Sequence, residues 1–115
     1  MNKPEHIDVQ VEVVGASIVF RPLGEIDLGR APSLRMQLKE AQAKKSERLI
    51  VDLVNVPYMD SSGVATLIEA MQTARKTGAR LVLCGLQDKV RSIFEIAKLN
   101  MVFTIVPGLE DAHGA

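Results

Sequence analysis

Arg48-Leu49-Ile50-Val51-Asp52-Leu53-Val54 is an almost unbroken apolar run around a single carboxylate, the pattern of a strand covered on both faces. Such a strand sits in the middle of a sheet with helices beside it, and the flanking sequence supplies them. Before it, Ala31 to Lys45 carries Leu34, Leu38 and Ala41 at helical spacing, with Pro32 tolerated in the first turn. After it, from Asp60, Val64, Leu67, Ile68 and Met71 fall at i, i+3, i+4 and i+7, and Gly78 is placed as a C-terminal stop.

The rest of the chain extends this alternation. Ile7 to Val14 sets Ile7, Val9, Val11 and Val13 against Asp8, Gln10 and Glu12, a period of two that predicts a half-buried strand. Gly15-Ala16-Ser17 turns the chain back into Ile18 to Leu23, where Arg21 and Pro22 interrupt the apolar run and place both hairpin strands near a sheet edge. Arg80 to Cys84 reads as another apolar strand, Asp88 to Lys98 as a third helix with Val90, Ile93, Phe94 and Ala97 on one stripe, and Val102 to Val106 as a short last strand. Strands joined through helices run parallel, whereas a hairpin is antiparallel, so the expected fold is α/β with a mixed sheet, an N-terminal β-hairpin and helices packed on the sheet.

With 115 residues, 47% of them hydrophobic, this is one domain, 1–115, with an ordered core over about 7–106 and loose termini. A chain of this size buries roughly 60% to 70% of its unfolded surface and needs no disulfide or metal staple. The single cysteine, Cys84, lies in an apolar strand and is expected to be a buried, inert thiol. Fourteen basic residues balance 14 acidic ones with no run of one sign, and the only aromatic residues are Phe20, Tyr58, Phe94 and Phe103. Both facts argue against a nucleic-acid partner, which calls for a basic stripe or stacking platforms. No apolar stretch approaches a membrane span, and Met1 to Asp8 has no signal-peptide core, so a cytoplasmic protein without membrane insertion is expected.

Polar residues concentrate between the central strand and the second helix, in Asn55-Val56-Pro57-Tyr58-Met59-Asp60-Ser61-Ser62-Gly63. Two readings of Asp60-Ser61-Ser62-Gly63 compete. Asp60 or Ser61 can cap the helix, and spacing alone favours that reading because caps are commoner than modification sites. Alternatively, a serine at a helix start just past the carboxyl end of a strand stands where open α/β sheets meet ligands, and a phosphate there gains from the positive end of the helix.

Enzymatic readings fail on residues. The chain has no G-x-x-x-x-G-K-[ST] loop and no nucleophile elbow, and its only histidines, His6 and His113, lie in the termini. A Ser-His-Asp relay or a metal site would need more, so no catalytic residue, metal or cofactor is expected. A phospho-aspartate receiver would need an acidic pair after the first strand and a lysine after the last, where this chain has Gly15-Ala16-Ser17 and Pro107-Gly108.

Val51-Asp52-Leu53-Val54-Asn55-Val56-Pro57-Tyr58-Met59-Asp60-Ser61-Ser62-Gly63 resembles the strand and phosphorylation loop of the STAS domain family, specifically its single-domain anti-sigma-factor antagonists. Gly24-Glu25-Ile26-Asp27-Leu28 resembles the family's first loop, and Leu81 to Leu86 with Val90 to Glu95 its later strand and third helix. The resemblance runs from about Ile7 to Val106. It departs at Ala65 and Lys98, where glycine is frequent, and at Val54 and Pro57, often small or polar. The resemblance implies a STAS-like fold and a regulatory module whose partner is an anti-sigma factor with serine kinase activity, with a serine phosphatase as a further partner able to reset it. It implies Ser61 as phosphoacceptor, with Ser62 the runner-up, and Asp27, Asp60, Ser62 and Gly63 in contact with partner or nucleotide. An alternative is a non-phosphorylated STAS scaffold or subunit of a stressosome-like or transporter complex, with Ser61 a cap only. A third is an enzyme or nucleotide sensor using Asp27 and Asp60.

Overall fold

A computed structural model describes residues 5–115, so the expected loose start at Met1–Pro4 lies outside the described residues. The elements follow in the order β1 (Asp8–Val14), β2 (Ser17–Leu23), α1 (Ala31–Ala43), β3 (Arg48–Asp52), α2 (Ser61–Thr77), β4 (Arg80–Cys84), α3 (Asp88–Ile96), a 3-10 turn at Leu99–Met101, β5 (Thr104–Val106) and α4 (Leu109–His113). One five-stranded sheet has the order β1-β2-β3-β4-β5, with β1 antiparallel to β2 and every later pair parallel. The mixed sheet and the central place of β3 follow the sequence reading.

The two sheet faces are unequal. Ile18, Phe20, Leu49, Val51, Leu81 and Leu83 point into the main core, where they meet Leu34 and Leu38 of α1, Leu67 and Met71 of α2, and Val90 and Phe94 of α3. The alternate residues Val19, Ile50, Val82 and Cys84 point the other way, onto Ala112 and Leu109 of α4. The C-terminal segment expected to be loose is therefore folded: Ala112 is fully buried, and Arg48 Nε and Arg80 Nη1 donate to the carbonyl of Ala115 at 2.9 and 3.3 Å. Residues 110–115 carry only a weak periodic signal, and the sheet face that recruits them is formed by residues far away in the chain.

As expected, the hairpin lies near a sheet edge: β1 is the edge strand at that side and β2 is its neighbour. β2 pairs in parallel with β3 from Ser17 to Phe20, and this pairing stops before Arg21 and Pro22, so the proline lies where no donor is required. One further expectation changes: β1 is not half-buried along its length, since Ile7 is buried and Val9 packs on the core, but Val11 and Val13 are exposed. Ile7 is pinned by α1, its N–H donating to Ser33 Oγ and its carbonyl accepting from Gln37 Nε2, whereas Val13 stays exposed although Ile18, its partner on β2, is buried in the main core.

The third helix ends two residues early, at Ile96, because Lys98 turns the chain with φ 58°, in the left-handed region that favours glycine. Lys98→Gly is expected to raise stability in urea unfolding by about 0.5 kcal/mol, the relief of strain being partly offset by the freer unfolded chain.

On the α4 side of the sheet, Asp52 at the end of β3 is 4% exposed and accepts a hydrogen bond from Arg21 Nε at 2.9 Å. Its other oxygen accepts from Val54 N–H at 3.2 Å. Burial, and next the Asp52 carboxylate, push the Cys84 thiol up to about 12, which makes it the inert group expected. Arg21→Met should cost about 3 kcal/mol in urea unfolding by leaving the carboxylate unpaired, and adding Asp52→Asn should recover most of the loss.

Candidate functional site

Two loops meet at the carboxyl ends of β2 and β3. The first, residues 24–30, leaves β2; the second, residues 53–60, leaves β3. Gly24 N–H donates to the Asn55 carbonyl at 3.0 Å, Ile26 N–H to the Tyr58 carbonyl at 3.0 Å, and Asp60 N–H to the Ile26 carbonyl at 3.0 Å. Ile26 and Met59 form an isolated parallel bridge, and both side chains are fully buried. The loops thus behave as a short extension of the sheet, which fixes where α2 begins.

Asp60 is the N-cap of α2, in an extended conformation that lets its side chain fold back over the first turn. Its Oδ1 accepts from Ser62 N–H at 2.9 Å, more weakly from Gly63 N–H at 3.4 Å, and from the Ser62 hydroxyl in a very short contact. Its Oδ2 accepts from Leu28 N–H at 3.1 Å, so one carboxylate caps the helix and holds the neighbouring loop. The Ser62 hydroxyl is the main influence holding this carboxyl below the usual carboxylate range; burial opposes it, and the three N–H donors act with the hydroxyl.

The expected site residues therefore separate. Ser61, the first residue of α2, is exposed, whereas Ser62 is partly covered and commits its hydroxyl to Asp60. Gly63 is buried, and a Cβ there would stand 2.6 Å from Met59 Cγ and 2.7 Å from Ile26 Cγ2. Its place is in the packing under the helix start. Asp27 is half-buried and turned to its own loop, Oδ1 accepting from Arg30 N–H at 3.0 Å while its carbonyl receives Ala31 N–H at 2.9 Å. Asp27 therefore sets the entry into α1, and the structure joins it to Asp60 through the Leu28 backbone.

Sequence reading missed the apolar rim of this end of the molecule. Leu28 is 76% exposed, and Val54 and Tyr58 are also open to solvent. A leucine in a loop has no periodic pattern to mark its burial, so only the fold reveals that Leu28 lies next to the cap. Among the described residues no group of three or more His, Cys, Asp or Glu side chains could hold a metal, and no helix is long and apolar enough to cross a membrane.

The chain belongs to the STAS domain family, which it matches over residues 8–112. The anti-sigma-B factor antagonist of Listeria monocytogenes is 35% identical over 101 residues, spanning 88% of this chain and 79% of that protein. The crystal structure of an anti-sigma factor antagonist from Mycobacterium paratuberculosis superposes with a TM-score of 0.87 at 24% identity, covering 99% of this chain and 97% of the other. The phosphorylated form of the Bacillus cell fate determinant SpoIIAA superposes with a TM-score of 0.70 at 23% identity, covering 90% and 94%. These two structural likenesses bear on the fold.

Asp60→Ala should lower stability by about 1 kcal/mol in urea unfolding, the usual cost of an uncapped helix. Because the folded carboxyl titrates below its unfolded value, the stabilisation by Asp60 is complete above about pH 4 and is lost as pH falls through the lower folded value. The stability gap between the wild type and Asp60→Asn should accordingly narrow on acidification below about pH 4.

Proposed function

We propose that the protein is an anti-sigma factor antagonist of the cytoplasm, which binds a serine-kinase anti-sigma factor through the Ser61 end of α2 and is released when that kinase phosphorylates Ser61. The observation that carries this reading is the division of labour between the two serines: Asp60 engages Ser62 and leaves Ser61 exposed at the first position of the helix. The named role of the Listeria relative supports it at the level of the antagonist function.

The physical step is a change of charge at a docking surface. A phosphate adds about −1.5 to −2 charges and three acceptor oxygens. Inside the domain it meets two opposing influences. The positive end of α2 favours it, but the Ser62 and Gly63 N–H groups are already taken by Asp60, whose carboxylate stands beside it. The fold gains little from phosphate and loses little. At the interface the same charge lands among Leu28, Val54 and Tyr58, apolar groups that a partner would cover. A penalty there of about 3 kcal/mol weakens binding roughly a hundredfold.

Incubation with the cognate anti-sigma kinase and ATP, followed by peptide mass spectrometry, should place phosphate on Ser61. Ser61→Ala should retain partner affinity and lose phosphorylation, and Ser61→Asp should weaken binding with little change in melting temperature. Phosphate found on another residue, or capture of scaffold or transporter components with no kinase, would overturn the reading.

A further inference from the structure

We propose that the outer edge of β1 is a homodimer interface, in which a second copy of the chain adds its own β1 antiparallel across a two-fold axis through Val11. The surface is independent of the Ser61 end, and no residue of that site lies in β1.

Among the described residues β1 ends the sheet and no strand pairs with its outer side. The hairpin decides which backbone groups face outward. Its two-residue loop is Gly15-Ala16, with Gly15 at φ 59°, between the paired residues Val14 and Ser17. In such a hairpin the closing pair exchanges hydrogen bonds, and the pairs alternate from there. Val14, Glu12, Gln10 and Asp8 thus direct their backbone groups to β2, and Val13, Val11 and Val9 direct theirs to solvent. Pro22, which has no N–H to give, stands opposite Val9, as this alternation requires.

The side chains follow the same division. Val9, Val11 and Val13 lie on the helix-covered face of the sheet, yet Val11 is 45% and Val13 64% exposed. Natural edges of this kind carry lysine, proline or a bulge that discourages pairing, and Val9 to Val14 contains none.

What pairs with this edge is indicated by the strand's own symmetry. Val9-Gln10-Val11-Glu12-Val13 reads apolar-polar-apolar-polar-apolar in both directions. With the axis at Val11, Val11 meets Val11, Val9 meets Val13, Gln10 meets Glu12, and Asp8 meets Val14. The outward N–H and C=O groups of all three valines find partners, the valines form one continuous apolar stripe, and no two like charges stand opposed. Moving the axis one residue either way sets Glu12 against Glu12, or Asp8 against Glu12, and like charges directly opposite destabilise an antiparallel pair. The charge pattern therefore selects both the occupant and the register.

Sedimentation equilibrium on the full chain from micromolar to near-millimolar concentration should show a reversible monomer–dimer equilibrium. Val11→Lys, at a position already exposed in the monomer, should keep the melting temperature of the monomer and raise the dimer dissociation constant roughly tenfold or more. Under mild oxidation Val11→Cys should form a self-cross-linked dimer, because directly opposed residues lie about 5.5 Å apart between Cα atoms, within disulfide reach. Glu12→Cys should not cross-link to itself, and the buried Cys84 contributes no background. A wild type that stays monomeric throughout, a dimer indifferent to Val11→Lys, or cross-linking by Glu12→Cys in place of Val11→Cys would each overturn the proposal.

Discussion

One carboxylate holds the Ser61 end of this molecule together. Asp60 receives the first-turn N–H groups of α2, the hydroxyl of Ser62 and the backbone of Leu28, so the helix start, the serine pair and the loop after β2 share a single anchor. Helix N-termini leave unpaired N–H groups, and a capping side chain commonly satisfies one or two of them. Here the cap also engages the hydroxyl of Ser62, while Ser61 is exposed. An aspartate whose second oxygen lacked the Leu28 donor would still cap α2, and the residue 24–30 loop would keep only its backbone ties, chiefly the Asp60 N–H to the Ile26 carbonyl.

The support beneath that anchor is steric. Ile26 and Met59 bridge the two loops and fill the space under the first turn of α2, which is why the third helical position is glycine. On the opposite sheet face Arg21 and Asp52 form a second polar anchor, and the Val54 N–H bound to Asp52 marks where β3 gives way to the residue 53–60 loop. The loop is thus tied at both ends by aspartates, Asp52 where it leaves the strand and Asp60 where it enters the helix. Each carboxylate is satisfied largely by backbone N–H groups or by arginine, so its charge stays paired as the chain around it is buried.

The elements most legible in the sequence were those whose burial is periodic. The apolar run of β3, the i, i+3, i+4, i+7 stripe of α2 and the stop at Gly78 all stand in the structure, because residues within the same element determine them. What escaped was set by distant partners. The last helix is recruited by Val19, Ile50, Val82 and Cys84, which present an apolar face that the local sequence of residues 109–113 does not announce. The period-two pattern of β1 correctly marked a strand, but a strand's period says which residues share a face and not whether anything covers it. At the site, the cap and the phosphoacceptor readings of Asp60-Ser61-Ser62 looked like rivals; in the folded chain Asp60 is the cap and Ser61 is exposed, so the cap no longer argues against the proposed acceptor.

That separation bears on how the proposed switch could work in so evenly charged a chain. With 14 residues of each sign, the surface has no dominant field for a phosphate to reinforce or oppose at long range, and at physiological salt charges more than about 8 Å apart on the surface are largely screened. The effect of phosphate must therefore be local. Locally it stands beside an ionised Asp60 and an apolar rim of Leu28, Val54 and Tyr58. In the free domain water solvates the phosphate, and the two charges are tolerated side by side. Covering the rim removes that water, which strengthens the repulsion from Asp60 and strips the phosphate of its hydration at the same moment. In the proposed switch the capping carboxylate next to Ser61 in the chain would thus sharpen the penalty for docking once Ser61 is modified, without the fold having to change.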